Sequence, residues 1–191
     1  TRFSTGEFKN CPNLKSIAAS SVFSITEDDK GELWFGTSKG LYRFDGNTVR
    51  YFSTTDSLHT NVVFSIAFEK NGKFWLGTDH GIGCFDRNNL STCSTYSIKE
   101  RLLHNFVSAL FCDSHGDIWI GTPKGMNRFK KGKLSSYTMQ EGLSHNYITG
   151  IMEDLGGNIW IGTWNGVNLF SDGEFINYST KNGLPNNFIY S

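Results

Sequence analysis

The residues of this chain with the most chemical reach are few. They are a histidine beside a carboxylate (Asp79-His80), a tryptophan beside an amide (Trp164-Asn165), the lysines Lys39 and Lys124, and two further histidines, His104 and His145. A histidine–acid pair can move protons, and paired histidines can hold a metal ion. An aromatic ring among amide, imidazole and ammonium groups can stack on a sugar and bind its hydroxyl, sulfate or carboxylate groups. Carboxylate catalysis needs clustered acids. Here Asp28, Glu69, Asp113 and Asp154 each stand three residues before a glycine in a different set of turns, which leaves Asp79 nearly alone. No nucleophile elbow and no metal-binding spacing occurs. We therefore expect no catalytic residue, no metal and no cofactor, and we read His104 and His145 as solvated loop histidines on a binding surface.

What positions these residues is a repeat. Gly31-Glu32-Leu33-Trp34-Phe35-Gly36-Thr37 returns as Gly72 to Thr78, Gly116 to Thr122 and Gly157 to Thr163, with tryptophans 41, 44 and 41 residues apart. A period of that length marks a solenoid, propeller or array. Each copy holds four short β-branched and aromatic runs bounded by turn residues, which read as strands a to d. In the first copy they are Val22-Phe23-Ser24-Ile25, Leu33-Trp34-Phe35-Gly36, Leu41-Tyr42-Arg43-Phe44 and Val49-Arg50-Tyr51-Phe52. No window sustains a 3.6-residue period, so helix is not expected. The acid before each a–b glycine suits a tight turn, accepting backbone N–H groups while the glycine supplies positive φ. Trp34, Trp75, Trp119 and Trp160 have apolar neighbours on both sides, the mark of a strand buried on both faces. Truncating one should cost roughly 3–5 kcal/mol.

Composition narrows the function classes. Eighteen Lys+Arg balance eighteen Asp+Glu over 191 residues, so no net field favours nucleic acid or an anionic membrane. No apolar run approaches membrane-spanning length, and the first residues do not read as a signal peptide. Cys11, Cys84, Cys93 and Cys112 stand in slots that other copies fill with larger residues. Cys84 takes the place of Arg43 and Arg128. None has a paired metal spacing, and a Cys84–Cys93 disulfide is the less favoured reading because adjacency does not fix its geometry.

Residues 1–16 read as the tail of a repeat. Complete repeats follow at about 17–57, 58–101, 102–142 and 143–183, and 184–191 opens a fifth. Four antiparallel strands per repeat resemble a β-propeller blade. The fourth copy, Asp154 to Phe170 followed by Tyr178-Ser179-Thr180-Lys181-Asn182-Gly183-Leu184-Pro185-Asn186-Asn187, resembles the two-component regulator propeller repeat. Ser57 and Arg101 depart from it where the glycine of Gly-Leu belongs. The resemblance implies an all-β propeller segment of four complete blades with partial blades at both ends. It further implies the periplasmic, non-catalytic sensor region of a hybrid two-component system that recognises an oligosaccharide. The expected partners are that oligosaccharide and either further blades or a second copy, with no nucleic acid and no direct membrane insertion. A protein-interaction scaffold is the alternative, and a carbohydrate lyase or hydrolase a distant one.

Blade geometry puts the b–c loops and the d–a connections on one rim. Inside the constant Gly-Thr-x-x-Gly frame of the b–c loops the central pair changes: Ser38-Lys39, Asp79-His80, Pro123-Lys124, Trp164-Asn165. The d–a connections add His104 and His145 at equivalent places. These are the candidate ligand-binding residues. The asparagines that follow (Asn61, Asn105, Asn146 and Asn187) read instead as partners of loop backbone.

Overall fold

A computed structural model describes residues 2–4, 7–9, 14, 17, 19–53, 59–88 and 92–190. A short hairpin of β1 (Arg2–Ser4) and β2 (Glu7–Lys9) comes first. Four antiparallel sheets follow, each of four strands in chain order. The first holds β3 (Val22–Glu27), β4 (Leu33–Thr37), β5 (Gly40–Phe44) and β6 (Val49–Phe52). The second holds β7 (Val63–Phe68), β8 (Lys73–Thr78), β9 (Ile82–Asp86) and β10 (Thr92–Tyr96). The third is β11 (Ala109–Cys112), β12 (Ile118–Thr122), β13 (Gly125–Lys130) and β14 (Lys133–Tyr137). The fourth is β15 (Ile148–Glu153), β16 (Ile159–Thr163), β17 (Gly166–Ser171) and β18 (Glu174–Tyr178). Their first strands lie side by side, β3 against β7, β7 against β11, and β11 against β15. The fold is an all-β propeller array. Among the described residues helix is confined to single 3₁₀ turns such as Ile98–Glu100, Met139–Glu141 and Thr180–Asn182, each closed by a capping box.

The acid of the a–b turn has two tasks. Asp28 Oδ1 accepts the N–H groups of Lys30 and Glu32, each at 3.0 Å, and its Oδ2 accepts the Trp34 indole N–H at 3.1 Å. Asp113 repeats this with His115, Asp117 and Trp119. The second blade divides the work. Glu69, one methylene longer, accepts the Trp75 indole at 2.6 Å, while Asn71 accepts the Lys73 N–H at 3.0 Å. The indole nitrogen is thus satisfied inside the core, which permits complete burial of the ring.

Trp34, Trp75 and Trp119 each face the next blade. Trp34 meets Phe68 and Phe74, Trp75 meets Phe129, and Trp119 meets Phe170, with ring centroids 5.2–5.6 Å apart. Trp34, Trp75 and Trp119 are at most 2% exposed. Trp160 differs from expectation: it is only half-buried. Its ring lines an apolar groove of about 510 Å³ with Ile151, Met152, Val167 and Ile189, because no four-stranded sheet of the described residues covers this side. Met152 and Ile176 on the fourth blade are more than half exposed.

Blades approach closely where strand b carries glycine. A Cβ placed on Gly77 would lie 2.7 Å from Val107 Cγ1, and one on Gly121 would lie 2.7 Å from Ile148 Cγ2. Backbone bonds clasp the second and fourth blades to the segment that follows each. The N–H of Val107 donates to Thr78 O at 2.8 Å and that of Ile189 to Thr163 O at 3.1 Å. In return Gly81 N–H donates to Asn105 O, and Gly166 N–H to Asn187 O. Arg87, buried on the second blade, reaches back to Asp29 of the first with two hydrogen bonds.

Cys84 lies opposite Trp75 in the strand register, as the Arg43 and Arg128 comparison requires, and is buried. Burial pushes the Cys112 thiol up to about 12, helped by the charges of Glu69, Asp113 and Asp117. Cys11 and Ser57 lie outside the described residues, as does the side chain of Cys93, and with it the Cys84–Cys93 pairing.

Candidate functional site

The b–c loops form one rim for a local reason. In every blade the threonine of the frame is buried, and its Oγ1 donates to the carbonyl of the frame's second glycine at 2.8–2.9 Å. The same oxygen accepts the N–H of residue 39, 80, 124 or 165. The second glycine has positive φ, 116° at Gly81, where a Cβ would strike Tyr96 O at 2.1 Å. A rigid loop therefore presents two variable side chains. Lys39, His80, Lys124, Trp164 and Asn165 are all exposed.

Asp79 and His80 do pair, Oδ1 to Nδ1 at 2.9 Å. Burial works against the Asp79 charge, but hydrogen bonds from His80 and the Thr60 side chain outweigh it, and the carboxyl lies below its usual range. No second carboxylate completes an acid–base dyad on this loop.

In the d–a connections His104 Nδ1 accepts the N–H of Phe106 at 2.9 Å, and His145 Nδ1 accepts that of Tyr147 at 3.0 Å. Asn186 Oδ1 and Thr60 Oγ1 make the equivalent bond in other copies, to Phe188 and Val62. These imidazoles thus close a turn, and only Nε2 of each is left for a ligand. The asparagines hold the 3₁₀ turns: Asn105, Asn146 and Asn187 accept from the N–H groups of Ile98, Met139 and Thr180. Among the described residues no group of three or more His, Cys, Asp or Glu side chains is placed to hold a metal ion.

The structure gathers Trp164, Asn165 and His145 into one cluster and leaves Lys39, Asp79-His80 and Lys124 each on its own blade. The Trp164 ring lies 3.8 Å from that of Tyr147, 7° from parallel, and 5.4 Å from that of Phe188. His145 sits 6.0 Å away, and Tyr190 extends the row beyond Phe188 at 4.8 Å. Trp164 is 42% exposed and Tyr190 84%. Asn165 Oδ1 accepts from Asn187 Nδ2 at 3.2 Å, tying the loop to the row. Sequence reasoning missed Tyr147, Phe188 and Tyr190. The available signal was an aromatic one residue either side of the apolar residue that opens strand a.

A second aromatic row, Phe23–Phe64–Phe106 at 4.8 and 4.6 Å, follows the inner strands of the first three blades. Among the described residues no helix is long and apolar enough to cross a membrane.

Comparison with known proteins places this rim in context. The profile described as two component regulator propeller matches residues 16–39, 101–124 and 142–165, each running from a d–a connection into a b–c loop. A curated protein named histidine kinase P4, from Formosa agariphila, is 40% identical over 45 residues, which is 24% of this chain and 3% of that protein. A solved extracellular domain assigned to a hybrid two component system of B. thetaiotaomicron superposes with a TM-score of 0.79 at 26% identity. The match covers 88% of this chain and 24% of that one. Virginiamycin B lyase from Staphylococcus aureus, at 14% identity and a TM-score of 0.68 over 86% of this chain and 56% of its own, shares the fold alone. Repeat pattern, blade packing and these likenesses agree: the chain carries two-component regulator propeller repeats, matched over residues 16–39, 101–124 and 142–165.

Proposed function

We infer that the chain is a non-catalytic, periplasmic ligand-recognition segment of a hybrid two-component sensor, and that it reads an oligosaccharide on the rim of b–c and d–a loops. The observation carrying this is the contrast within the frame. Thr37, Thr78, Thr122 and Thr163 make the same two bonds in all four copies, while the exposed residues beside them change from Lys39 to His80, Lys124 and Trp164-Asn165. A surface whose scaffold is constant and whose exposed chemistry varies serves recognition. The aromatic row around Trp164 offers partly exposed rings, Tyr190 most of all, to a sugar. Asn165 and His80 offer hydrogen bonds, and Lys39 and Lys124 answer acidic substituents. The chain spans 24% of the length of the hybrid-system domain it matches, so kinase output belongs to the proposal for the whole protein.

Calorimetric titration against neutral and acidic oligosaccharides tests this. Trp164→Ala should weaken binding by about tenfold, or about 1.4 kcal/mol, with a folded circular dichroism spectrum retained. Unchanged binding by Trp164→Ala, or no binding by any member of the panel, would overturn the reading. One observation favours a second reading, a protein-docking propeller: the row that begins at exposed Phe23 and runs through half-buried Phe64 and Phe106. Capture of a protein partner that is lost in Phe23→Ser, with no sugar bound, would decide for it.

A further inference from the structure

The strand register sets a row of side chains across the tryptophan face of each blade. Opposite Trp34, Trp75 and Trp119 stand Arg43, Cys84 and Arg128, and beyond these Arg50, Ser94 and Ser135. Arg43 lies over the Trp34 ring at 5.3 Å and Arg128 over the Trp119 ring at 4.6 Å. Trp160 is flanked instead by Met152 and Leu169, with Ile176 beyond. The fourth row is thus apolar from end to end, yet it is the one that no described sheet covers. Met152 is 58% exposed and Ile176 51%, and Leu155 on the adjoining a–b turn is fully exposed. An apolar face open to water in this way marks an interaction site.

The charge of this face has one sign. The groove of about 510 Å³ over Trp160 is lined by one acid, Asp154, and by no base. Asp154 accepts hydrogen bonds from the Gly156 and Asn158 N–H groups and from the Trp160 indole. These donors are neutral and leave its charge in place, and the carboxyl, held at about 2 by the indole and then by Asn158, stays ionised. Between Lys133 and Lys181 the chain has five acids and no lysine or arginine. The first junction shows how such an acid is answered. Asp28 accepts the same kinds of turn and indole bonds, and Arg87 of the following blade brings Nη1 to 3.7 Å from its Oδ2.

We propose that the open face of the fourth blade seats an arginine of a protein partner, its guanidinium over Trp160 and toward Asp154, its aliphatic neighbours on Met152, Leu169 and Ile176. A planar guanidinium stacks on an indole and pairs with a carboxylate at the same time, and apolar flanks take the exposed patch out of water. A second fourth blade would bring more acid and no cation, so it answers the apolar part of the face alone. The site lies on a sheet face away from the loop rim and is independent of the sugar-binding reading.

The test is titration of the ¹⁵N-labelled protein with N-acetyl leucyl-arginyl-leucinamide, following the indole N–H resonance of Trp160. The citrulline analogue, equal in shape and uncharged, is the control. The arginine peptide should shift that resonance with a Kd on the order of millimolar, and the citrulline peptide should bind about tenfold more weakly. Leu169→Arg sets a guanidinium of the chain's own opposite Trp160, as Arg128 stands opposite Trp119, and should weaken the arginine peptide about tenfold. Asp154→Asn should bind the two peptides alike, and Leu169→Arg carries the test if Asp154→Asn fails to fold. Equal binding of the two peptides by the parent, no shift at Trp160, full binding by Leu169→Arg, or a preference for arginine kept in folded Asp154→Asn would each overturn the proposal. So would a Trp160 resonance that moves with protein concentration and with neither peptide, which would give the face to a second copy.

Discussion

Replacing Asp113 by alanine removes three hydrogen bonds at once, and the second blade supplies the control. Asp113 is 6% exposed and accepts from His115 N–H at 3.0 Å, Asp117 N–H at 2.9 Å and the Trp119 indole at 2.8 Å. The His115 amide regains water when its acceptor goes. The Asp117 amide and the indole lie in a buried setting and do not. Hydrogen bonds to a charged partner contribute about 1.5–3 kcal/mol each, so two stranded donors cost about 3–4 kcal/mol after partial relaxation. In a domain of this size that lowers Tm by about 8–12 °C. Glu69→Ala strands only the Trp75 indole in the core, since Asn71 keeps the backbone bond to Lys73. It should cost about 1.5–2 kcal/mol, and Asn71→Ala, at an exposed turn, about 0.5–1.5 kcal/mol. Urea unfolding of the three variants against the parent measures the order. If Glu69→Ala costs as much as Asp113→Ala, or if Asp113→Ala costs less than about 1 kcal/mol, the division of labour read from the two turns is wrong.

Three further outcomes follow from other residues. Arg101 has φ of 74° in a slot where Gly142 and Gly183 have 110° and 98°; Arg101→Gly should stabilise the fold by about 0.5–1 kcal/mol in urea, the left-handed strain relieved less the added chain entropy. Asp154 is held at about 2, first by the Trp160 indole bond and then by Asn158. Its folded pKa is depressed, so its contribution is complete above its unfolded value and is lost as pH falls through about 4 to 2; Asp154→Asn should flatten the stability–pH curve in that window and nowhere else. The uncovered face of the fourth blade should drive self-association, and Met152→Lys with Ile176→Glu should suppress it in sedimentation velocity; a parent protein that stays monomeric at high concentration removes this expectation.

The frame was legible in the sequence because its causes are local. A threonine two residues before the next variable position, and a glycine that must adopt positive φ, act within five residues of each other at Thr78–Gly81. The acid of the a–b turn was legible as a turn acceptor for the same reason. Its bond to the indole was not, since only the strand register brings Trp34 back over Asp28. The burial of Trp160 was overestimated because a tryptophan's cover comes from the following blade and not from its own sheet. At the candidate site the variable pairs are legible only as neighbours along the chain. Trp164 was read as a lone platform, whereas Tyr147 and Phe188, 17 and 24 positions away along the chain, flank its ring. The imidazoles of His104 and His145 read as free rim groups, yet each spends Nδ1 on a turn amide, a role that Asn186 performs with its side-chain oxygen.

The backbone clasp that follows the second and fourth blades bears on how such arrays grow. The strand that opens a blade donates to the preceding frame, as Val107 does to Thr78, and receives from that frame's glycine, as Asn105 does from Gly81. A gene segment copied from one d–a connection to the next therefore carries both halves of the fastening, a hook at its start and an eye in its b–c loop. Joined to a blade with such a frame, it mates through backbone atoms and needs no matched side chain for that fastening. Blade number can then drift by unequal crossing-over with that fastening kept, and the variable pair within each new eye is free to diverge.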